Sequence, residues 1–254
     1  IVFGDWSSDV CSSDLTPFIY HRTVMTQGVG ESFLAARLED WERSLPHGIR
    51  LAWLPQPGIV RLRLSGTGSD PVMVTRMVDD EVARLNERIP EHIFSLDEDT
   101  LEQVTGRLLK ESGKSLSVAE SCTGGYLAHL ITSVPGSSGY FKGGIVSYAN
   151  EAKNRLLEVP DETISRHGAV SETVVTLMAA HCRKVFGSDY AIATSGIAGP
   201  EGGTPEKPVG TTWIAIASPD GIWAKQYLFG DNRERNIRRT ALEALMRLCK
   251  LILK

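Results

Sequence analysis

The chain has 254 residues, of which 42% are hydrophobic and 23% are charged, a composition typical of one or two globular domains. The formal net charge of -4 gives no general basic surface, so we expect nucleic acid not to be a partner. No apolar run approaches the ~20 residues that span a bilayer, and no secretory signal is visible. The sequence therefore predicts a cytoplasmic protein without a membrane partner.

Cysteine and histidine spacing argues against a metal site. The four cysteines, Cys11, Cys122, Cys182 and Cys249, lie far apart and form no C-x-x-C pair, so neither a zinc site nor a disulfide framework is indicated. The six histidines are equally scattered. We expect reduced thiols, no bound metal and no cofactor.

The first fifteen residues, IVFGDWSSDVCSSDL, differ from the rest of the chain. They contain the near-repeat SSDVCSSD and lack the apolar periodicity of a helix or strand. They resemble a translated sequencing adapter. We interpret residues 1–15 as a non-native or disordered segment.

Residues 16–90 predict a small α+β module with the order β-α-β-β-α. HRTVMTQG, IRLAWLP and IVRLRLSG are typical of strands, and apolar residues with helical spacing mark two helices between and after them. These residues are Leu34, Leu38, Trp41 and Leu45 in the first helix, and Val78, Val82, Leu85 and Ile89 in the second. The order resembles a KH-like module, but the G-x-x-G that clamps a nucleotide backbone is missing, which favours a structural or oligomerising role. Residues 90–99 are predicted to be a linker.

From residue 98 onward the pattern predicts one α/β domain. A helix ends at Gly113, the strand SLSVA follows, and Gly124 and Gly125 lie where that strand passes into the helix YLAHLITS. Such a junction presents open backbone N–H groups and the positive end of a helix dipole. Ser121 lies at this junction. It is either a helix cap or a nucleophile, and the residues alone leave both open.

Other segments offer partners for a reactive serine. GGIVSYANEAKNRLL predicts a strand, then Tyr148, then a helix with Lys153, which is either a solvated charge or a desolvated base. Ser138 in VPGSSGYF either relays a proton or makes turn hydrogen bonds. His167 precedes a helix capped by Ser171 and is the rival base. YAIATSGIAGPEGGTPEKPVGTTWIAIA predicts a strand, a long loop and a strand, the loop being a surface excursion or a binding lid.

Six motifs together resemble a known family. AESCTGG, PGSSGYF, YANEAK, HGAVSE, SGIAGPEGGTPEKPVG and FGDNRERNIRR are similar to the C-terminal domain of the CinA competence/damage-inducible proteins, a family that includes nicotinamide mononucleotide deamidases. The resemblance implies a three-layer α/β deamidase domain in residues 91–254, preceded by the family's KH-like module in residues 16–90. The family's first domain, associated with ADP-ribose pyrophosphatase activity, has no counterpart in this sequence.

The resemblance also implies a reaction and a set of site residues. The expected activity is an amidohydrolase that converts nicotinamide mononucleotide to nicotinate mononucleotide and ammonia in NAD salvage. Ser121 is then the nucleophile and Lys153 the general base, with Tyr148 and Ser138 orienting groups or carrying protons. Backbone N–H groups of residues 122–124 would bind the oxyanion. The implied substrate-binding residues are Thr123, Gly124, Gly125, Ser195, Gly196, Gly199, Gly202 and Arg233.

Several alternatives remain open from the sequence. Arg235 or Arg238 can replace Arg233 as the phosphate ligand, because GDNR is one residue longer than the family's commoner GDR. Cys122 is a rival nucleophile, since a helix N-terminus lowers a thiol pKa. The second function class is a non-catalytic nucleotide-binding regulator linked to competence. The presence of Ser121, Tyr148 and Lys153 favours the enzyme. A homo-oligomer, most readily a dimer, is expected.

Overall fold

The computed structural model describes residues 17–254, so the interpretation of residues 1–15 concerns a segment outside the described part. The described chain forms an N-terminal module followed by a C-terminal domain, each with its own sheet. This confirms the predicted architecture of a small α+β module before a three-layer α/β domain.

The N-terminal module is a four-stranded antiparallel sheet with two helices. Its elements are β1 (Phe18–Gln27), α1 (Glu31–Arg43), β2 (Ile49–Gln56), β3 (Ile59–Gly68), α2 (Pro71–Arg88) and β4 (Ile93–Ser95). The strand order is β2-β3-β1-β4. β4 pairs with β1 and lies in the segment predicted as a linker. It was not predicted as a strand because three residues are too few to show an alternating pattern.

The helices of the module cover one face of its sheet. Leu34, Leu38 and Trp41 of α1 and Leu85 of α2 are fully or almost fully buried, which fits their predicted helical spacing. Glu81 of α2 is buried with them and accepts hydrogen bonds from Trp41 Nε1 (2.9 Å) and Arg84 Nη1 (2.7 Å). The module therefore buries a carboxylate whose oxygens are satisfied by a buried indole N–H and by an exposed arginine.

The C-terminal domain is a five-stranded mixed sheet between two helical layers. Its elements are α3 (Leu101–Glu111), β5 (Leu116–Glu120), α4 (Tyr126–Thr132), β6 (Phe141–Val146), α5 (Asn150–Leu157), α6 (Asp161–His167), α7 (Glu172–Phe186), β7 (Tyr190–Gly196), β8 (Thr211–Ser218), β9 (Gly221–Leu228) and α8 (Arg233–Ile252). The strand order is β6-β5-β7-β8-β9. β5 is parallel to β6 and β7, whereas β8 and β9 are antiparallel additions.

Two hydrophobic clusters show which helices lie on each face of this sheet. Helices α3, α4 and α8 pack on one face and α5, α6 and α7 on the other. In β7, Ile192 contributes to the first cluster while Ala191 and Ala193 contribute to the second, as alternation along a strand requires. The short helix α6 and the exposed edge strand β9 were not predicted from the sequence.

The module and the domain share one seam. Met25 and Ile59, from the module, pack in the same hydrophobic cluster as Leu242 of α8. Gln27 Nε2 donates a hydrogen bond to Glu243 Oε2 (2.9 Å). The C-terminal domain therefore covers the part of the module's sheet around Met25, Gln27 and Ile59. Among residues 17–254, no helix is long and apolar enough to cross a membrane.

Candidate active site

The carboxyl-terminal ends of the parallel strands β5, β6 and β7 meet along one line, which we call the carboxyl edge. Glu120 pairs with Val146 on one side and with Thr194 on the other. The backbone continues this pairing for one residue, because Ser121 N donates to Thr194 O (3.0 Å) and Ser147 N donates to Glu120 O (2.8 Å). Ligands of open α/β sheets bind outside this edge.

Ser121 lies at this edge with a free hydroxyl group. Ser121 is only 8% exposed, and its Oγ forms no hydrogen bond with any group in the described part of the chain. The residue that caps α4 is Gly125, at φ 100°. The helix-cap interpretation of Ser121 is therefore wrong, because the cap position and the first amides of α4 belong to other residues.

Those amides are bound by Glu120. Its carboxylate is fully buried and accepts hydrogen bonds from the backbone N–H groups of Gly125 (2.9 Å), Leu127 (3.0 Å) and Ala128 (2.8 Å). A carboxylate at the start of a helix is stabilised by these donors and by the helix dipole. Sequence analysis gave Glu120 no role beyond being poorly placed as a base, and its structural role was missed.

Cys122 is unsuited to be the nucleophile at neutral pH. Burial raises the pKa of its thiol to about 12, and the neighbouring Glu120 carboxylate acts in the same direction. The reactive form of cysteine is the thiolate, so near pH 7 Cys122 is a protonated, buried side chain. This favours Ser121 over Cys122.

The turn after β5 leaves two main-chain donors unused. Gly124 N donates to Ser121 O (3.1 Å) within the turn. The expectation that Gly124 N is free to bind the oxyanion is therefore wrong. The N–H groups of Cys122 and Thr123 have no acceptor among residues 17–254. The Thr123 hydroxyl is hydrogen-bonded to Thr194 Oγ1 (2.7 Å), so only the main chain of Thr123 is available to a ligand.

Lys153 is a buried amine without a counter-ion. It is 1% exposed, and its Nζ donates to the carbonyl oxygens of Ser147 (2.9 Å) and Tyr148 (3.3 Å). It forms no ion pair with a described carboxylate. Burial lowers the pKa of Lys153, opposed in part by Cys122 and by Glu151.

Two hydrogen bonds connect Lys153 to the serine turn. Lys153 Nζ binds Ser147 O, and Ser147 N binds the carbonyl of Glu120, the residue before Ser121. His167, the rival base, is exposed at the end of α6.

Arg233 and Tyr148 form the outer part of the site. Tyr148 is 58% exposed, and its hydroxyl accepts a hydrogen bond from Arg233 Nη2 (2.7 Å). Arg233 Nη1 donates to Gly199 O (2.9 Å). The first residue of α8 therefore connects the loop after β6 with the loop after β7. Arg235 and Arg238 line two other cavities, both next to the N-terminal module.

The predicted residues after β7 have mainly structural contacts. Ser195 Oγ donates to Ala169 O (2.8 Å), so its hydroxyl is already used. A Cβ on Gly196 would lie 2.7 Å from Thr212 Oγ1 and 3.1 Å from Cys122 Sγ, so glycine allows β7 and the serine turn to approach. Gly199 and Gly202 both have φ 89°, a backbone conformation that favours glycine.

The structure does not bring Ser138 to Ser121 within one chain. Ser138 lies in a 3₁₀ turn, Ser137–Gly139, immediately before β6. β5 and β6 are parallel with Leu116 opposite Phe141, so Ser138 is at the amino-terminal end of these strands and Ser121 at the other. The expectation that both act in one intrachain site is corrected by this topology.

Family models match nearly the whole described chain. Residues 98–252 match the CinA C-terminal domain and residues 21–95 match the KH domain of the damage-inducible protein CinA. The chain belongs to the CinA family. The KH-like assignment of the N-terminal module is confirmed with it.

Individual relatives agree with this assignment. A CinA-like protein from Cytophaga hutchinsonii is 47% identical over 94% of this chain and 57% of its own length. A CinA-like protein from Flavobacterium psychrophilum is 48% identical over the same shares. The chain thus spans just over half the length of these relatives. A CinA superfamily protein from Klebsiella pneumoniae is 34% identical, with a TM-score of 0.58, over 61% of this chain and 99% of its own.

Proposed function

We propose that this chain hydrolyses the carboxamide of nicotinamide mononucleotide to nicotinate mononucleotide and ammonia, with Ser121 as nucleophile and Lys153 as general base. The observation that carries the proposal is a buried amine of lowered pKa, without a counter-ion, two hydrogen bonds away from a serine turn. A serine needs such a neighbour, because its hydroxyl is a weak nucleophile until a base removes the proton.

In the first half of the reaction, neutral Lys153 takes the proton of Ser121 as Oγ attacks the carboxamide carbon. The backbone N–H groups of Cys122 and Thr123 stabilise the resulting oxyanion. The Lys153 ammonium group then donates its proton to the departing nitrogen as the C–N bond breaks. Ammonia leaves, and an acyl ester on Ser121 remains.

Water completes the reaction at the same groups. Lys153, neutral again, removes a proton from a water molecule that attacks the ester carbon. The C–O bond to Ser121 breaks, Ser121 recovers its proton, and nicotinate mononucleotide leaves. The balance is one amide and one water consumed, with one carboxylate and one ammonium ion formed, because the proton released by the new carboxylic acid is taken up by ammonia. The reacting atoms need no metal ion in this sequence of steps.

Arg233 is the proposed ligand of the substrate's 5'-phosphate. Its guanidinium group holds a carbonyl and the Tyr148 hydroxyl, both of them uncharged acceptors that a phosphate replaces by charge-assisted bidentate hydrogen bonds. Tyr148 is then released towards the pyridinium ring. A cationic ring close to Lys153 lowers the pKa of the amine further, which assists its action as a base.

The test is ammonia release from nicotinamide mononucleotide by the purified chain, with nicotinamide riboside, which lacks the phosphate, as the comparison substrate. We expect ammonia in stoichiometric amount with nicotinate mononucleotide, and the same rate after EDTA treatment and dialysis. Nicotinamide mononucleotide binding without ammonia release would instead favour a non-catalytic nucleotide-binding regulator. Loss of activity with EDTA, restored by one divalent ion, would contradict the metal-free mechanism.

A further inference from the structure

A second cavity lies in the seam between the N-terminal module and the C-terminal domain. Its volume is about 190 Å³, well above the roughly 10–15 Å³ that one water molecule needs. Arg61 of β3 and Arg238 of α8 line it from opposite sides of the seam. The seam cavity is separate from the groups assigned to the deamidation reaction.

The two arginines of the seam cavity lack partners. Nε of Arg61 and Nε of Arg238 are both buried without a hydrogen bond, and neither guanidinium group forms an ion pair with any residue in the range 17–254. Both arginine side chains are partly exposed, and only their Nε atoms are buried; buried polar atoms in proteins are nearly always hydrogen-bonded. A single negatively charged acceptor in the cavity can satisfy both of these donors.

A third arginine, Arg247, has a comparable Nε but contacts an aromatic ring. Nε of Arg247 is also buried without a hydrogen bond, but its guanidinium group lies 4.4 Å from the centre of the Trp223 ring, a favourable cation–π arrangement. Arg61 and Arg238 have no such aromatic contact in the described structure. Both Nε donors are therefore available to a ligand.

We propose that the seam cavity binds an oxyanion, either inorganic phosphate or the phosphate group of a larger molecule, between Arg61 and Arg238. Guanidinium groups bind the oxygens of phosphate through paired N–H donors. The bound anion joins β3 of the module to α8 of the domain, so it stabilises the docking of the two parts. This site is independent of the proposed deamidase activity.

Two carboxylates moderate the affinity. Glu98 and Glu102 also line the cavity, and one oxygen of Glu98 is occupied by the Thr23 hydroxyl. Their negative charge opposes an anion, which predicts weak binding in the wild-type protein. Neutralising Glu102 should therefore tighten binding, whereas removing either arginine should weaken it.

The experiment measures phosphate binding to the whole chain by calorimetry, and thermal unfolding in phosphate against chloride at equal ionic strength. We expect saturable binding and a raised melting temperature in the wild type, and Kd weakened about tenfold or more in Arg61→Met and Arg238→Met. Arg63→Met is the matched control, because Arg63 lies two residues further along β3 and lines neither cavity. It should bind phosphate like the wild type.

Further variants separate this site from the substrate site. Arg233→Met should retain seam binding, and Glu102→Gln should bind phosphate severalfold more tightly. Adenosine monophosphate binding more tightly than inorganic phosphate would assign the site to a larger phosphomonoester, and the reverse would assign it to the free anion. Absent phosphate binding, equal binding in Arg61→Met and Arg238→Met, or unchanged affinity in Glu102→Gln would each overturn the proposal. If an Arg→Met variant does not fold, Arg61→Lys and Glu102→Gln carry the test.

Discussion

The two parts of the chain bury charge in different ways. In the N-terminal module, Glu81 is 2% exposed and receives hydrogen bonds from an indole N–H and a guanidinium group. In the C-terminal domain, Lys153 is 1% exposed and contacts only neutral carbonyl oxygens. The first arrangement satisfies the carboxylate oxygens with hydrogen-bond donors. The second favours the loss of its charge.

This difference separates structural from reactive burial. A carboxylate with donors on both oxygens is held in place by them, and Glu120 at the start of α4 is a second example with three amide donors. An amine among carbonyls, with burial lowering its pKa, gives up its proton more readily than a solvated lysine. The comparison supports the proposed chemistry of Lys153 and indicates structural roles for Glu81 and Glu120.

The largest expected effect is that of Ser121→Ala. It removes the nucleophile but leaves the backbone and the amide donors, so we expect deamidation to fall by on the order of a thousandfold or more while nicotinamide mononucleotide still binds. Ammonia release and calorimetric binding measure the two properties. Cys122→Ala, one residue further on, is the control and should keep most activity. Activity in Ser121→Ala, or its loss in Cys122→Ala, would contradict the serine mechanism.

Lys153→Arg tests the reactive side of the comparison. Guanidinium does not lose its proton in proteins, so we expect kcat to fall by about a hundredfold to ten-thousandfold, whereas exposed His167→Ala should have a small effect. In the wild type, activity should rise with pH along one ionisation that lies above the ~6.5 of histidine and below the ~10.4 of free lysine. An active Lys153→Arg and an inactive His167→Ala, with a pH profile near 6.5, would assign the base to His167.

The same lowered pKa affects stability with a defined sign. Between the folded-state pKa of Lys153 and the ~10.4 of the unfolded chain, the unfolded state binds more protons, so the free energy of unfolding contributed by Lys153 rises with pH. Lys153→Met removes this contribution. Urea unfolding of both proteins from about pH 7 to about pH 10 should show the wild type gaining stability relative to the variant as pH rises. A pH-independent difference would mean that burial does not lower this pKa.

The two buried carboxylates provide a smaller, purely structural test. Glu120→Gln replaces an acceptor oxygen by an NH₂ group facing backbone donors, and Glu81→Gln does the same to Trp41 and Arg84. Each should lower the free energy of unfolding by about 1–3 kcal/mol. Glu81→Gln should leave deamidation unchanged, since it lies in the other part of the chain. Equal loss of activity in both variants would contradict the division between structural and reactive burial.

Local sequence patterns predicted most of the fold but only part of the site. The helical spacing of Leu34, Leu38 and Trp41 was visible because it repeats over two turns within a helix of 13 residues, whereas β4 and α6 are too short to show a period. The motifs identified Ser121 and Lys153 as candidates. The opposite position of Ser138 depends on the parallel pairing of β5 with β6, which no local pattern encodes.

Roles that depend on long-range contacts were also missed. Ser195 was expected to bind substrate, but its hydroxyl donates to Ala169 O. Glu120 was given no role, but its carboxylate accepts hydrogen bonds from the amides of the helix that follows it. Arg233, Arg235 and Arg238 are equivalent in a motif. They face three different environments because α8 turns through about 100° per residue beside two separate cavities and a loop.

The smallest expected effect concerns Lys207, the second lysine in this comparison. Its Nζ donates to the carbonyl oxygens of His167 (2.9 Å) and Val170 (2.8 Å). Like Lys153 it therefore binds two main-chain carbonyls, but it is only half-buried. Its role is structural and does not depend on proton transfer. It joins the loop between β7 and β8 to the turn between α6 and α7, and Ser195 joins the end of β7 to the same turn.

Lys207→Met should therefore loosen the loop that carries Gly199 and, through it, the Arg233 contact. Each lost hydrogen bond is worth about 1 kcal/mol, so we expect KM for nicotinamide mononucleotide to rise about three- to tenfold with little change in kcat, together with faster proteolysis within residues 197–209. Lys184→Met is the control, because Lys184 pairs with Glu158 at the far end of α7 and should change neither. A lower kcat at unchanged KM would instead mean that Lys207 acts on the reacting groups. Lys207 would then belong with Lys153 among the lysines that take part in proton transfer.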